Sequence, residues 1–184
     1  MFTEEQGHLL TALARAAIVR EFDEAAAPLP HPGWLDAPGA VFVTLTEHGH
    51  LRGCIGSLEA QRPLREDLEH NARAAAFGDP RFPPLSREEL PMLRVEVSLL
   101  TPATPMAFTD EADALRQLRP GVDGVILEHG MHRATFLPQV WEQLPEPSLF
   151  MSHLKQKAGL ASDFWAKEIR LSRYGVEKFK EPVS

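Results

Sequence analysis

The sequence has one cysteine, Cys54, and that scarcity closes several routes at once. A lone thiol forms no internal disulfide and has no second thiol with which to share a metal. The expected compartment is therefore a reducing cytoplasm. No apolar run approaches the roughly 18 residues that would read as a membrane span, so a soluble, non-membrane protein is expected. The opening Met1-Phe2-Thr3-Glu4-Glu5 is acidic and lacks the basic region and apolar core of a secretory signal, so it is expected in the mature chain. Basic residues are in deficit, 19 Lys and Arg against 26 Asp and Glu, for a net charge of -7. That surplus opposes the phosphate attraction that nucleic-acid binders depend on, which disfavours nucleic acid as a partner. A glycine-rich phosphate loop, a dinucleotide fingerprint and a Gly-x-Ser-x-Gly elbow are absent as well.

What is present suits a packed globular chain. Of the 184 residues, 43% are hydrophobic, enough for one or two adjoining cores. Sixteen prolines, spread from Pro28 to Pro182, cut the chain into many short elements. Thr3 and Gln6 have the spacing of a capping box, and Leu9, Leu10, Leu13, Ala17 and Ile18 then fall on one helical side. The Pro-rich stretch 28–38 reads as an extended loop anchored by Trp34 and Leu35. Val41, Val43 and Leu45 alternate, and 47–50 is a turn composition leading into 51–56, which predicts a β-hairpin. Pro63 opens a helix carrying Leu64, Leu68, Ala72 and Ala75, with Gly78 after its end. Ser86 and Glu89 form another capping-box pair, at the start of a short helix. In 94–101, Val95, Val97 and Leu99 face one way and Glu96, Ser98 and Leu100 the other. Further on come a helix at 111–118, a hairpin of 124–128 with 131–136, a helical turn around Trp141, a helix at 148–158 and a final strand at 168–174. Hairpins with interspersed helices predict an α+β fold with a mainly antiparallel sheet flanked by helices. No flexible linker is evident, so a single domain over 1–184 is expected, with room for a small second lobe.

Chemistry concentrates at Cys54, which lies between Gly53 and Gly56 and two residues after Arg52. The glycines leave the thiol unshielded and let backbone approach a ligand, while a cationic neighbour favours thiolate over thiol. In a regular strand Arg52, Cys54 and Gly56 share one face. Two blander readings stand beside this one. A small buried hydrophobe is the usual fate of a lone cytosolic cysteine such as Cys54, and the glycines also suit a bulge or a close helix crossing.

The hexapeptide Leu51-Arg52-Gly53-Cys54-Ile55-Gly56 resembles the signature of the AMMECR domain family, which includes the AmmeMemoRadiSam system protein A-like sequences. Other segments resemble the family in the same order: Asn71-Ala72, then 77–82 with Asp79 and Arg81, then 96–100, 121–124, 135–140 and 157–160. The resemblance covers nearly the whole chain and implies an α+β domain with an antiparallel sheet. It implies no particular reaction. It does imply partners, a Memo-type dioxygenase-like protein and a radical-SAM protein, and one cysteine cannot hold the iron–sulfur cluster of the latter. Carried over by position, it draws Arg52, Cys54, Asp79, Arg81, Glu96 and Ser98, with Gly53 and Gly56, into one constellation, with Cys54 as the catalytic candidate and the others as substrate-binding candidates. Solvent exposure of Glu96 and Ser98, and a structural ion pair of Arg81 with Asp79 or Glu96, are the competing readings.

A Cys–His pair would need folding to bring His48, His50, His70 or His153 to Cys54. His48-x-His50 and His129-x-x-His132 lie at hairpin turns, where exposed polar residues are expected, so no metal or cofactor is assigned. Three functions follow in order. The first is a small-molecule enzyme or binding component around Cys54, and the second a non-catalytic adaptor using the same residues as an interface. The third, RNA binding on a sheet face, needs exposed aromatics beside basic residues, and the strands offer few.

Overall fold

The capping box predicted at the N-terminus is formed: Thr3 Oγ1 accepts from the Gln6 amide at 3.1 Å, and Gln6 Oε1 accepts from the Thr3 amide at 2.8 Å. It starts helix α1 (Glu4–Arg20), whose Leu10, Leu13, Ala14, Ala17 and Ile18 are buried. Thr3→Ala is expected to lower stability by about 1 kcal/mol, read by urea unfolding, without altering the strands described below. The computed structural model describes residues 1–23 and 25–182.

The Pro-rich loop is not wholly extended; it holds a 3-10 turn at Gly33–Asp36 that buries Leu35. Then come β1 (Pro38–Gly39), β2 (Val41–Glu47), β3 (His50–Gly56), β4 (Arg62–Pro63) and α2 (Leu64–Phe77). The β2–β3 turn has positive φ at both His48 (51°) and Gly49 (80°), the geometry whose twist matches that of a hairpin. The helix predicted after Ser86 is a 3-10 helix, Arg87–Met92, since Pro91 inside it has no amide hydrogen to give. It leads into β5 (Leu93–Leu100), then β6 (Thr104–Pro105), α3 (Glu111–Gln117), β7 (Gly124–His129) and β8 (His132–Phe136). A 3-10 turn at Pro138–Glu142, α4 (Pro147–Lys157) and β9 (Arg170–Tyr174) follow. One further strand, β10 (Val176–Lys180), comes after the strand expected to be last. The fold is α+β.

The chain divides into two compact units, Met1–Leu100 with the segment from Glu177 on, and Thr101–Val176. In the first, a sheet of order β10-β5-β2-β3 turns Val41, Val43, Leu45, Val95 and Val97 toward α1 and α2. A buried carboxylate fastens α2 to this sheet, with Asp67 accepting from the Val41 amide (2.9 Å), Ser57 Oγ (2.6 Å) and Arg62 Nε (2.8 Å). The second unit has a sheet of order β6-β9-β7-β8 with its own core, in which Trp141 stacks on Phe150 at 3.8 Å and its indole N–H donates to the Asp123 carbonyl. Among the described residues no helix is long and apolar enough to cross a membrane.

Candidate functional site

The hairpin register decides what surrounds Cys54. Pairing of β2 with both neighbours sets Thr44 opposite Cys54 on one side and opposite Glu96 on the other. Directly paired residues point to the same face, so Cys54, Thr44 and Glu96 form one row across the sheet. The next row is Gly56, Phe42 and Ser98. This face is opposite the one packed on α1 and α2. It is polar yet only partly open, with Cys54, Thr44 and Glu96 half-buried and Ser98 8% exposed.

Cys54 is thus not a small hydrophobe of the apolar core. Its Sγ lies 3.3 Å from Thr44 Oγ1, within hydrogen-bond reach for sulfur. Its backbone amide points out from the edge strand and donates to Asp79 Oδ2 at 3.0 Å. Asp79, only 4% exposed, also accepts from the Arg81 amide (3.0 Å), Arg81 Nε (3.0 Å) and Arg81 Nη2 (2.7 Å). The Arg81 guanidinium holds the Asp79 carboxyl well below the usual carboxylate range, and the two backbone amides help it against the opposing effect of burial. Arg81 pairs with Asp79, the first of the two partners open to it on sequence grounds, and its side chain remains 54% exposed with Nη2 3.5 Å from the Cys54 carbonyl. A buried anion therefore fixes the strand edge at the thiol and keeps a partly open cation beside it.

Arg52 departs from the expectation that it shares a face with Cys54 and Gly56. Leu45 pairs with Gly53 but Thr46 pairs with Leu51, so Arg52 is the extra residue of a β-bulge. Its guanidinium is taken by Glu89 (Nε 2.7 Å, Nη2 3.2 Å) and the Pro83 carbonyl (2.8 Å), and it is 8% exposed. Arg52 holds the loop rather than the thiol. Phe82 links the two arginines, its ring centre 5.4 Å from Arg81 Cζ and 5.9 Å from Arg52 Cζ.

Space over both glycines is filled by protein. A Cβ on Gly53 would lie 2.1 Å from the Ala75 carbonyl oxygen, so this glycine lets α2 approach β3. A Cβ on Gly56 would enter the Phe42 ring, which lies over it. Among the described residues no histidine hydrogen-bonds Cys54: His48 Nε2 is 3.3 Å from Met92 Sδ, and His132 Nδ1 is 2.9 Å from the Ala158 carbonyl. Thr44, Phe42 and Glu47 belong to this neighbourhood but carry no motif of their own in the sequence, and Glu89 entered there only as half of the Ser86 capping box. Thr44 and Phe42 were accessible from alternation, since they occupy the positions between Val41, Val43 and Leu45 that face away from the core.

Three comparisons bear on kinship. The AMMECR1 family model matches residues 11–179. A protein of Methanothermobacter thermautotrophicus is 40% identical over 184 residues, covering 97% of this chain and 96% of its own. One of Methanosarcina acetivorans is 36% identical, covering 98% and 94%. The crystal structure of an uncharacterized protein from Pyrococcus horikoshii superposes with a TM-score of 0.81 at 33% identity, covering 100% of this chain and 97% of that one.

Proposed function

The chain belongs to the AMMECR1 family, and from the surroundings of its one cysteine we propose that it is a small-molecule enzyme or binding component whose reactive atom is Cys54 Sγ. The observation that carries this reading is the buried Asp79 carboxylate, which binds the Cys54 amide on one side and the half-exposed Arg81 guanidinium on the other. A cysteine that served only to fill space would face the aliphatic core. This one is half-buried beside Thr44, on a face that Glu96 and Ser98 share beyond the intervening strand, all groups able to hydrogen-bond a polar ligand. Arg81 favours an anionic or electrophilic ligand, its free guanidinium edge orienting a carboxylate close to Cys54. A free thiol of this kind fits a reducing compartment. The Memo-type and radical-SAM partners implied by the family resemblance would supply any redox step that this chain's residues do not.

The test compares two alkylating agents on the native protein. Iodoacetate carries a negative charge and iodoacetamide does not, so their rate ratio at Cys54, divided by that for free glutathione, isolates the local field. Arg81 is expected to raise this normalised ratio severalfold, and Arg81→Gln to lower it to one or below, since Asp79 then stands without its cation. A ratio near one in the unaltered protein would remove the anion preference. The adaptor reading would gain instead if Cys54→Ser left every coupled assay unchanged while Arg81→Gln weakened association with a partner.

A further inference from the structure

The bulge at Arg52 gathers a second cluster of charged groups beside the site. Glu47 ends β2, Arg52 is the bulged residue of β3, and Glu89 lies in the 3-10 helix after Ser86. Arg52 makes two hydrogen bonds to Glu89 and a third to the Pro83 carbonyl. Glu47 Oε1 lies 3.9 Å from Arg52 Nε, and both this oxygen and Arg52 Nη1 are buried without a hydrogen-bond partner. Two partly buried carboxyl groups therefore compete for one largely buried guanidinium, leaving one anion in excess if both ionise.

Their environments separate the two carboxyls. Burial, with Glu89 alongside, raises the Glu47 carboxyl above its ordinary value, whereas the hydrogen bond from Arg52 brings Glu89 down to about 2. Ser86 adds two donors to Glu89, its amide at 2.7 Å and its hydroxyl at 3.0 Å. Other groups also face Glu47. Arg52 and neighbouring His48 pull its carboxyl the other way, while its paired residues are His50 on β3 and Leu93 on β5. Glu89 is thus the anion of the pair, and Glu47 the member able to carry the proton.

We propose that Glu47, Arg52 and Glu89 form a proton-operated latch that fastens the segment from Asp79 to Glu89 onto the β2–β3 hairpin, and so regulates how firmly the Cys54 site is held. The regulatory half of this statement rests on the Cys54 reading above. The segment is tied down at two ends, by Asp79 on the Cys54 amide and by Arg52 on Pro83 and Glu89. With Glu47 protonated, the cluster is neutral and Arg52 belongs to Glu89. When the proton leaves to solvent, Glu47 repels Glu89 and competes for the guanidinium, and the grip on the loop weakens. Glu47→Gln mimics the protonated state permanently.

Hydrogen–deuterium exchange on the full chain tests this, comparing the unaltered protein with Glu47→Gln at about pH 4, where Glu47 is mostly protonated, and about pH 8. Comparison at one pH cancels the intrinsic exchange chemistry. At the higher pH the variant is expected to protect the amides of 79–89 and Cys54 severalfold over the unaltered protein, with the difference shrinking at the lower pH. A protection ratio that is the same at both pH values overturns the latch. A carbon-13 carboxyl titration of Glu47 in the unaltered protein stands independently of the variant's folding, and a midpoint at or below the ordinary glutamate value of about 4.3 also overturns it. Amide exchange does not require the thiol to react, so an inert Cys54 with a pH-dependent ratio would sink the site reading alone.

Discussion

Gly53→Ala is expected to destabilise the protein by about 3 kcal/mol or more, at the upper end of what overpacking usually costs. The added methyl would lie 2.1 Å from the Ala75 carbonyl oxygen and 3.0 Å from its carbon. These are backbone atoms inside α2, so no rotamer change relieves the clash, and the helix or β3 must move. Either shift disturbs the core formed by Leu68, Ala72, Val43 and Leu45. Gly56→Ala is the control. There the obstacle is the Phe42 side chain, which can rotate away at smaller cost. Guanidinium unfolding of both variants measures the difference, and equal small losses would show that α2 does not need the glycine at 53.

Asp79→Ala is expected to cost about 3 kcal/mol, since two backbone amides, those of Cys54 and Arg81, lose a charged acceptor. The lost bonds to the Arg81 guanidinium are left out of that figure because the side chain is half-exposed and water can replace the carboxylate. The pH dependence has a definite sign. The folded-state value of Asp79 lies below its ordinary 3.8, so its contribution is fully present above that value and fades as the pH falls below it. In Asp79→Ala this portion of the acid-side loss should vanish, which thermal unfolding over an acid pH series reads directly. The same variant frees the β3 edge beside the thiol, so Cys54 alkylation should quicken.

How much of this was legible in the sequence varies with range. Elements governed by local rules are in place: the Thr3–Gln6 box, the alternation of β5, the Leu and Ala positions of α2. The strand β10 was not legible, because its Val176-Glu177-Lys178-Phe179-Lys180 gives only two apolar positions, and Phe179 earns its place by filling the space above Gly7. The coming together of Cys54 with Glu96 and Ser98 was partly readable, for the polar alternation of β5 and the hairpin were both visible while their common partner Thr44 depends on which strand lies between them. The side on which Arg52 falls was not readable. One unpaired residue in a hairpin is invisible to periodicity, yet it sends the guanidinium to Glu89 and leaves Arg81 as the cation beside the Cys54 backbone.

A functional Cys54 requires a thiol that the folded protein leaves reachable. Treating the native chain with iodoacetamide and weighing the intact protein reads this without ambiguity, since there is one cysteine to modify. A single adduct is expected, formed at a rate far above that of global unfolding, with Cys54→Ser unmodified and the circular dichroism unchanged. Modification only after denaturation would contradict it, placing Cys54 among structural residues and leaving the face around Asp79 and Arg81 as an interface.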